Sequence, residues 1–521
     1  MKRFFSTRVL TALLFAALMV PFHSCTDLEP EVFSDLTPDN FPASRADLVT
    51  SYLSVYTRLY PMMNHGGYMS TQSIASDEML IPQRGSDWFD GGIWLRTHRQ
   101  TFDPTDGQFN GAWTFLYQGA IQASSVIGAI ENSDALSEAE KAPFLAELRS
   151  MRAYFYFLLT DAFGDVPLIT EDSDLTDIEP AANSRAEIFN FVIDELNAVA
   201  GDLSRETGGA TYGKINYYVN RALASRFLLN AEEFTGTARY AEAEAAADEV
   251  INSGAYSLTE NYFANFDPDN DNGLTGTSEN MWVIPYDAPA VAGGFNIPQM
   301  TLHYSSQQTF NLQDSPWNGY CAQQEFYDMY EDGDARKGEF GSTAVRGNFL
   351  AGPQFDAAGN PLIDASADDP GGPEIVFTPE VNALEPNAFR QAGARIWKYG
   401  YENGSPNTIR NDFPIIRYAE VLLNKAEAMM RQNRGGAEMF VNQVRERAGL
   451  DDDNDVSMDD LLAERGRECF YEGTRRTDLI RFGRFTDAWF AKAATPETAK
   501  LFPIPQPQLD ANSNLVQNPG Y

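Results

Sequence analysis

A mainly α protein is predicted: a tetratricopeptide-like helical-repeat scaffold carrying a large irregular, loop-rich insertion with short strands. Three observations predict it. Several segments place apolar residues three and four apart behind recognisable caps. These segments come in pairs, with small residues where paired helices would cross. From about 256 to 411 the helical period lapses into chain rich in Gly, Pro, Asn and Asp.

The first strong helix is expected after Ser137-Glu138-Ala139-Glu140, a capping box in which the serine and the glutamate three residues on satisfy each other's backbone N–H groups. Its apolar face reads Phe144, Leu148, Met151, Phe155, Leu158, Ala162, and Gly164 with Pro167 ends it. A second box, Ser184 to Glu187, opens a helix carrying Ile188, Phe191, Val192, Leu196 and Val199. Val219, Leu223 and Phe227 mark one member of a third pair, and Tyr240, Ala243, Ala247, Val250 and Ile251 its partner. A fourth pair follows far downstream, Tyr418 to Met429 and Ala437 to Val444. The expected organisation is a helical part over 43–255, an irregular part over 256–411 with strand-like runs such as Met281-Trp282-Val283-Ile284, and a C-terminal part over 412–521 holding the last helix pair.

The N-terminus has a different character. Lys2, Arg3 and Arg8 precede an apolar run from Val9 to Val20. That run falls short of the roughly 20 residues that span about 30 Å of hydrocarbon. The layout is that of a signal peptide over 1–24. Ser24-Cys25 makes the cleavage junction lipoprotein-like, with Cys25 as the lipidated residue, although plain secretion with a free thiol fits the same residues. Residues 25–42 form an acidic, proline-dotted leader. Loss of residues 1–24 removes three positive charges and no acid, which moves the net charge from −36 to −39. Such a chain repels phosphate backbones, so nucleic acid is not an expected partner. Beyond Cys25 only Cys321 and Cys469 remain, too few for a disulfide framework but enough for one bridge. The histidines left, His65, His98 and His303, lie far apart and show no zinc spacing.

Three segments resemble a known family. They are Leu148-Arg149-Ser150-Met151-Arg152-Ala153-Tyr154-Phe155-Tyr156-Phe157 running to Phe163-Gly164-Asp165-Val166-Pro167-Leu168; Phe413-Pro414-Ile415-Ile416-Arg417-Tyr418-Ala419-Glu420 running to Ala426-Glu427; and Arg465-Gly466-Arg467-Glu468 with Glu472, Gly473, Arg475, Arg476, Asp478 and Arg481. The ending Phe502-Pro503-Ile504-Pro505 through Asn518-Pro519-Gly520-Tyr521 fits as well. Together they are similar to the SusD/RagB family of outer-membrane lipoproteins. The resemblance implies a surface protein anchored by the lipid on Cys25, with Asp27, Glu29 and Glu31 resembling its export tag. It implies capture of glycans, or of peptides in some branches, for a SusC-like TonB-dependent transporter. It also implies that the helices face the transporter while the irregular half meets the ligand, and that the chain performs no catalysis.

Sugars present C–H faces beside hydroxyl rims, which suit flat aromatic rings flanked by carboxylates. Trp113 and Trp282 lie in apolar patterns and read as core, and Trp489 as core or interface. Trp88, in Gly85-Ser86-Asp87-Trp88-Phe89-Asp90-Gly91-Gly92, and Trp317, in Asp314-Ser315-Pro316-Trp317-Asn318-Gly319-Tyr320, sit in turn-rich loops where burial is not expected. They are the leading ligand candidates, followed by Trp94, by Asp77 and Glu78 as hydroxyl acceptors, and by Tyr286, Tyr304, Arg395 and Trp397. Asp267, Asp269 and Asp271 resemble the start of a calcium loop, but glycine and Glu279 each fall one position late, so a solvated acidic turn is expected ahead of bound calcium; no other cofactor is implied. A secreted glycoside hydrolase remains an alternative, because carboxylate pairs arise by chance among 74 acids.

Overall fold

The computed structural model describes residues 44–174, 176–286, 294–365 and 372–521. Signal, lipidation site and leader lie outside the described residues. The predicted helices form where the caps and periods place them. Helix α1 (Arg45–Thr57) starts at Ser44, whose hydroxyl accepts the Asp47 N–H at 3.3 Å. The short α2 (Tyr68–Ile74) and α3 (Ile93–Arg99) follow, then the long α4 (Gly107–Glu131) and α5 (Glu138–Phe163). Both capping boxes are present, at α5 and at α6 (Arg185–Val199). Gly164 terminates α5 at φ 76°, a conformation that costs a glycine little.

The helices stack in succession: α4 on α5, α5 on α6, and α7 (Tyr217–Leu229) on α9 (Tyr240–Ile251), with the short α8 (Ala231–Thr235) between the last two. Gly119 lets α4 and α5 approach closely, since a Cβ there would lie 2.3 Å from the Phe155 ring. Phe157 of α5 stacks on Phe227 of α7 with centroids 3.8 Å apart. Because α5 has neighbours on several sides, its buried surface is wider than one stripe. Arg152 and Tyr156 are buried along with Leu148, Met151, Phe155 and Ala162, whereas Phe144 and Leu158 of the predicted face are half-buried.

The chain then leaves the helical stack and returns. Strand β2 (Asn280–Ile284) pairs antiparallel with β8 (Phe413–Arg417), so the excursion closes at its neck. The return lets α13 (Tyr418–Arg431) pack directly against α9, whose Ala243, Ala246 and Ala247 keep the crossing tight. Then α14 (Glu438–Arg447) and α15 (Met458–Glu468) extend the stack, and α16 (Arg475–Arg481) brings the chain back against α2. Between the neck strands lie two-residue strands and helices of four or five residues: β3 (Cys321–Ala322) pairs with β1 (Met79–Leu80), and β4 (Phe349–Leu350) with β7 (Arg395–Ile396). Residues 44–521 form one unit, so the three parts read from the sequence share one body.

A buried ion network holds the neck. Arg417 reaches Glu468 at 2.7 Å and Glu472 at 2.6 Å and also bonds Glu279; Arg447 reaches Glu279 at 2.8 Å and Glu468 at 2.5 Å. Arg336, from the irregular part, adds Asp334, Glu464 and Glu468 at 2.6–2.9 Å. Arginine neighbours hold the Glu468 carboxyl well below the usual range, although burial alone would raise it. Cys321 and Cys469 are both buried and free.

Candidate ligand site

The loop 84–92 is shaped by backbone that few residues adopt: Trp88 stands at φ 61° and Asp90 at φ 42°, beside Gly91 and Gly92 at φ 65° and 83°. A bulky residue in this left-handed region carries about 1–3 kcal/mol of strain, so its surroundings must hold it there. They do. The Trp88 indole Nε1 donates to the Trp317 carbonyl oxygen at 2.7 Å. The ring lies so close to Gly319 that a Cβ there would come 2.3 Å from it. Arg84 fixes the second loop, donating to the carbonyls of Asn318 at 2.9 Å, Gly319 at 2.8 Å and Ala392 at 2.8 Å. Arg395 donates to Asn318 Oδ1 and to the Ala392 and Gly393 carbonyls at 2.7–2.8 Å. Both arginines are buried against backbone oxygens. Burial, reinforced by the neighbouring Arg84 charge, pushes Arg395 down to about 9.

These contacts shape a shallow depression of about 410 Å³ lined by His65, Asp87, Trp88, Asp90, Tyr304 and Trp317. His65 sits among the rings, 5.1 Å from Trp88 and 5.6 Å from Trp317 by centroid, with Nδ1 3.2 Å from the Tyr320 hydroxyl. Burial lowers the imidazole below its ordinary value against the pull of Asp90, which favours its neutral form. Tyr304 donates its hydroxyl to Asp87 Oδ2. Trp317 is 37% exposed, and Phe89 on the neighbouring loop is exposed too. The result is an open aromatic surface with two carboxylates at its edge, suited to stacking on an apolar face while accepting hydroxyl hydrogen bonds.

Of the residues expected from sequence, Trp88, Trp317 and Tyr304 line this depression. The others lie elsewhere, buried or bound to protein partners. Trp94 is only 2% exposed; its Nε1 donates to Asp90 Oδ2 at 2.7 Å, so it braces the loop from below. Asp77 faces Arg475 through two 2.7 Å bonds, and Glu78 is buried beneath β1, accepting the Tyr471 N–H at 3.2 Å. Tyr286 is buried with its hydroxyl on the Tyr60 carbonyl at 2.8 Å. Arg395 is fully buried under the loop, and Trp397 is buried in a small cluster with Leu350, Leu362 and Phe377. Trp113 and Trp282 are core, and Trp489 packs at its edge. His65, Asp87 and Asp90 went unselected by sequence reasoning. The two aspartates stood inside the loop quoted for Trp88, whereas nothing near His65 in sequence marks it.

Asp267 bonds Arg346 Nη1, and Asp269 bonds Arg410 Nη2 at 2.9 Å; among the described residues no three His, Cys, Asp or Glu side chains converge as metal ligands. A larger groove, about 700 Å³, lies along α4 and the C-terminal segment, lined by Trp113, Tyr117, Ile121, Ile178 and Leu515. It lacks carboxylates and its indole is core, so chemistry rather than size favours the Trp88–Trp317 depression.

A model described as the SusD family matches residues 385–521, and one described as starch-binding and associating with the outer membrane matches residues 31–247. The chain belongs to the SusD/RagB family. This SusD/RagB member is 28% identical over 430 residues to the starch-binding protein SusD of Bacteroides thetaiotaomicron, covering 75% of each chain. It is 25% identical over 499 residues to a SusD-like protein of Bacteroides ovatus, covering 91% of this chain and 81% of that one. Its fold matches surface glycan-binding protein A from Bacteroides thetaiotaomicron, solved with laminarihexaose, at TM-score 0.72 and 22% identity over 91% of this chain and 99% of that one. A SusD superfamily protein from Parabacteroides distasonis matches at TM-score 0.73 and 20% identity, over 94% and 100%. Family membership associates the chain with the outer membrane, and no helix among the described residues is long and apolar enough to cross one.

Proposed function

We propose that this chain is a cell-surface, lipid-anchored glycan-binding protein that captures oligo- or polysaccharide at the Trp88–Trp317 depression. The lipid sits on Cys25, and the captured glycan passes to a SusC-like TonB-dependent transporter without being cleaved. The observation that carries the reading is the depression itself: an exposed indole at Trp317, a second indole pinned beside it, Tyr304, and two carboxylates on one open surface. Open aromatic surfaces bind extended chains with few torsions to freeze. The relatives support the reading, since the 28%-identical one is described as starch-binding. So does the solved neighbour carrying laminarihexaose.

The test is affinity electrophoresis of the purified chain in gels containing starch or laminarin, with Trp317→Ala and Trp88→Ala beside it. Retardation by a polysaccharide that either substitution weakens at least tenfold is expected. Retardation unchanged in both variants moves the site elsewhere. Binding of peptides but of no polysaccharide turns the assignment to the peptide-binding branch, and release of sugar by the chain alone, lost with one carboxylate, turns it to hydrolysis.

A further inference from the structure

We propose that the Trp88–Trp317 depression takes neutral polysaccharides and rejects chains bearing carboxylates or sulfates. The inference rests on the glycan-capture reading and adds the class of sugar. Two of the six lining side chains, Asp87 and Asp90, are carboxylates, and no lining residue is a lysine or arginine. Neither aspartate is in an ion pair among the described residues; Asp87 accepts the Tyr304 hydroxyl, and Asp90 accepts Trp94 Nε1 at 2.7 Å.

The arginines around the site have protein partners of their own; Arg96, which donates to the Gly91 carbonyl at 3.0 Å, pairs with Asp106. Burial shifts His65 toward its neutral form. Arg390 lies 5.0 Å over the Tyr304 ring and pairs with Asp364 at 3.3 Å. Arg84 and Arg395 are buried, their N–H groups turned to the carbonyls of the 318–319 and 389–393 segments. A sugar hydroxyl meets two negative acceptors here, the stronger kind of hydrogen bond. A sugar carboxylate or sulfate meets two like charges with no lining cation to offset them, on a chain of net charge −36.

The experiment compares one backbone in two charge states: laminarin and amylose, each alongside its own form oxidised at C6 to the uronate. The purified chain is titrated against all four, with sulfated dextran as a further anion. A neutral polymer is expected to bind, and its oxidised form to bind on the order of tenfold more weakly at low salt. The gap should close at about 1 M salt, where charges are screened beyond about 3 Å. In Asp87→Asn/Asp90→Asn, which keeps both hydrogen-bond acceptors, the gap at low salt should shrink several-fold while the melting temperature stays unchanged. Equal or tighter binding of an oxidised or sulfated polymer overturns the inference and leaves glycan capture standing. A gap that persists unchanged in the double variant also overturns it, because its cause would lie elsewhere. Binding of none of the polymers counts against the glycan-capture reading itself, and the inference falls with it.

Discussion

Trp88 donates its indole N–H to the backbone oxygen of Trp317 at 2.7 Å, across 229 positions of chain. One bond thus ties the helical part of the molecule to its irregular part at the proposed site. It also explains how a tryptophan is held at φ 61°. The Trp88 ring is thus held by the backbone that carries Trp317, and changes to that backbone bear on it.

Gly319 is the first such place. Ala at this position would put its Cβ 2.3 Å from the Trp88 ring. Gly319→Ala is expected to cost about 1–3 kcal/mol, as overpacking does, and to swing the ring out of place. Polysaccharide affinity should fall at least tenfold while far-ultraviolet dichroism is preserved. Unchanged near-ultraviolet dichroism with unchanged affinity would refute the close packing.

Glu78 makes stability depend on pH. Burial, the largest influence, raises its carboxyl from 4.5 to about 7. Between those values the folded chain holds a proton that the unfolded chain has lost, so this group's contribution to stability falls as pH rises from 4.5 through 7. Above pH 7 the full cost, roughly 3 kcal/mol, is present. Glu78→Gln should therefore stabilise the protein by about that amount at pH 8 and by almost nothing at pH 4, read by denaturant unfolding. An equal effect at both values contradicts the assignment.

Glu468 anchors the neck through Arg336, Arg417 and Arg447. Removing one partner of a buried network leaves the others uncompensated, which costs about 3–5 kcal/mol. Glu468→Ala should lower the unfolding free energy by that amount, and proteolysis should then cut within 256–411 before the helices. A loss below 1 kcal/mol would mean the network is dispensable.

Calcium should have no effect. Two of the three carboxylates of the 267–273 turn are engaged by arginines, Asp267 by Arg346 and Asp269 by Arg410, which leaves Asp271 alone, too few for a calcium site. Melting temperature and polysaccharide affinity are expected to be the same in EDTA and in millimolar calcium, and a rise in melting temperature with calcium would show a site there.

Much of the fold was legible. Ser137 and Ser184 announce their helices because a capping box is a local bargain between residues three apart. The segments that carry the family resemblance are legible for a different reason: Arg152, Arg417, Glu427, Arg465, Glu468 and Asp478 are buried ion-pair partners that hold the helices and the neck together. They mark the fold and say little about the ligand.

The candidate site was legible only as a short range of possibilities. Trp88 and Trp94 stand six positions apart in the same turn-rich stretch, yet one lines the depression and the other is sealed beneath it. Arg395 and Trp397 have the residue types of a sugar site and are core all the same.

The sequence by itself determined that the chain is a helical-repeat protein with an irregular insertion, that it belongs with SusD/RagB proteins, and that loop tryptophans are its best ligand candidates. Caps, periods and charge-bearing motifs are local patterns, and local patterns can be read along a chain. Only the tertiary structure decided which candidates face solvent, that His65, Asp87 and Asp90 join them, and that Arg84 and Arg395 carry the loop from below. Those outcomes depend on packing between segments as far apart as His65 and Tyr320, 255 positions, and exposure is a property of what packs over a residue, which no local pattern contains.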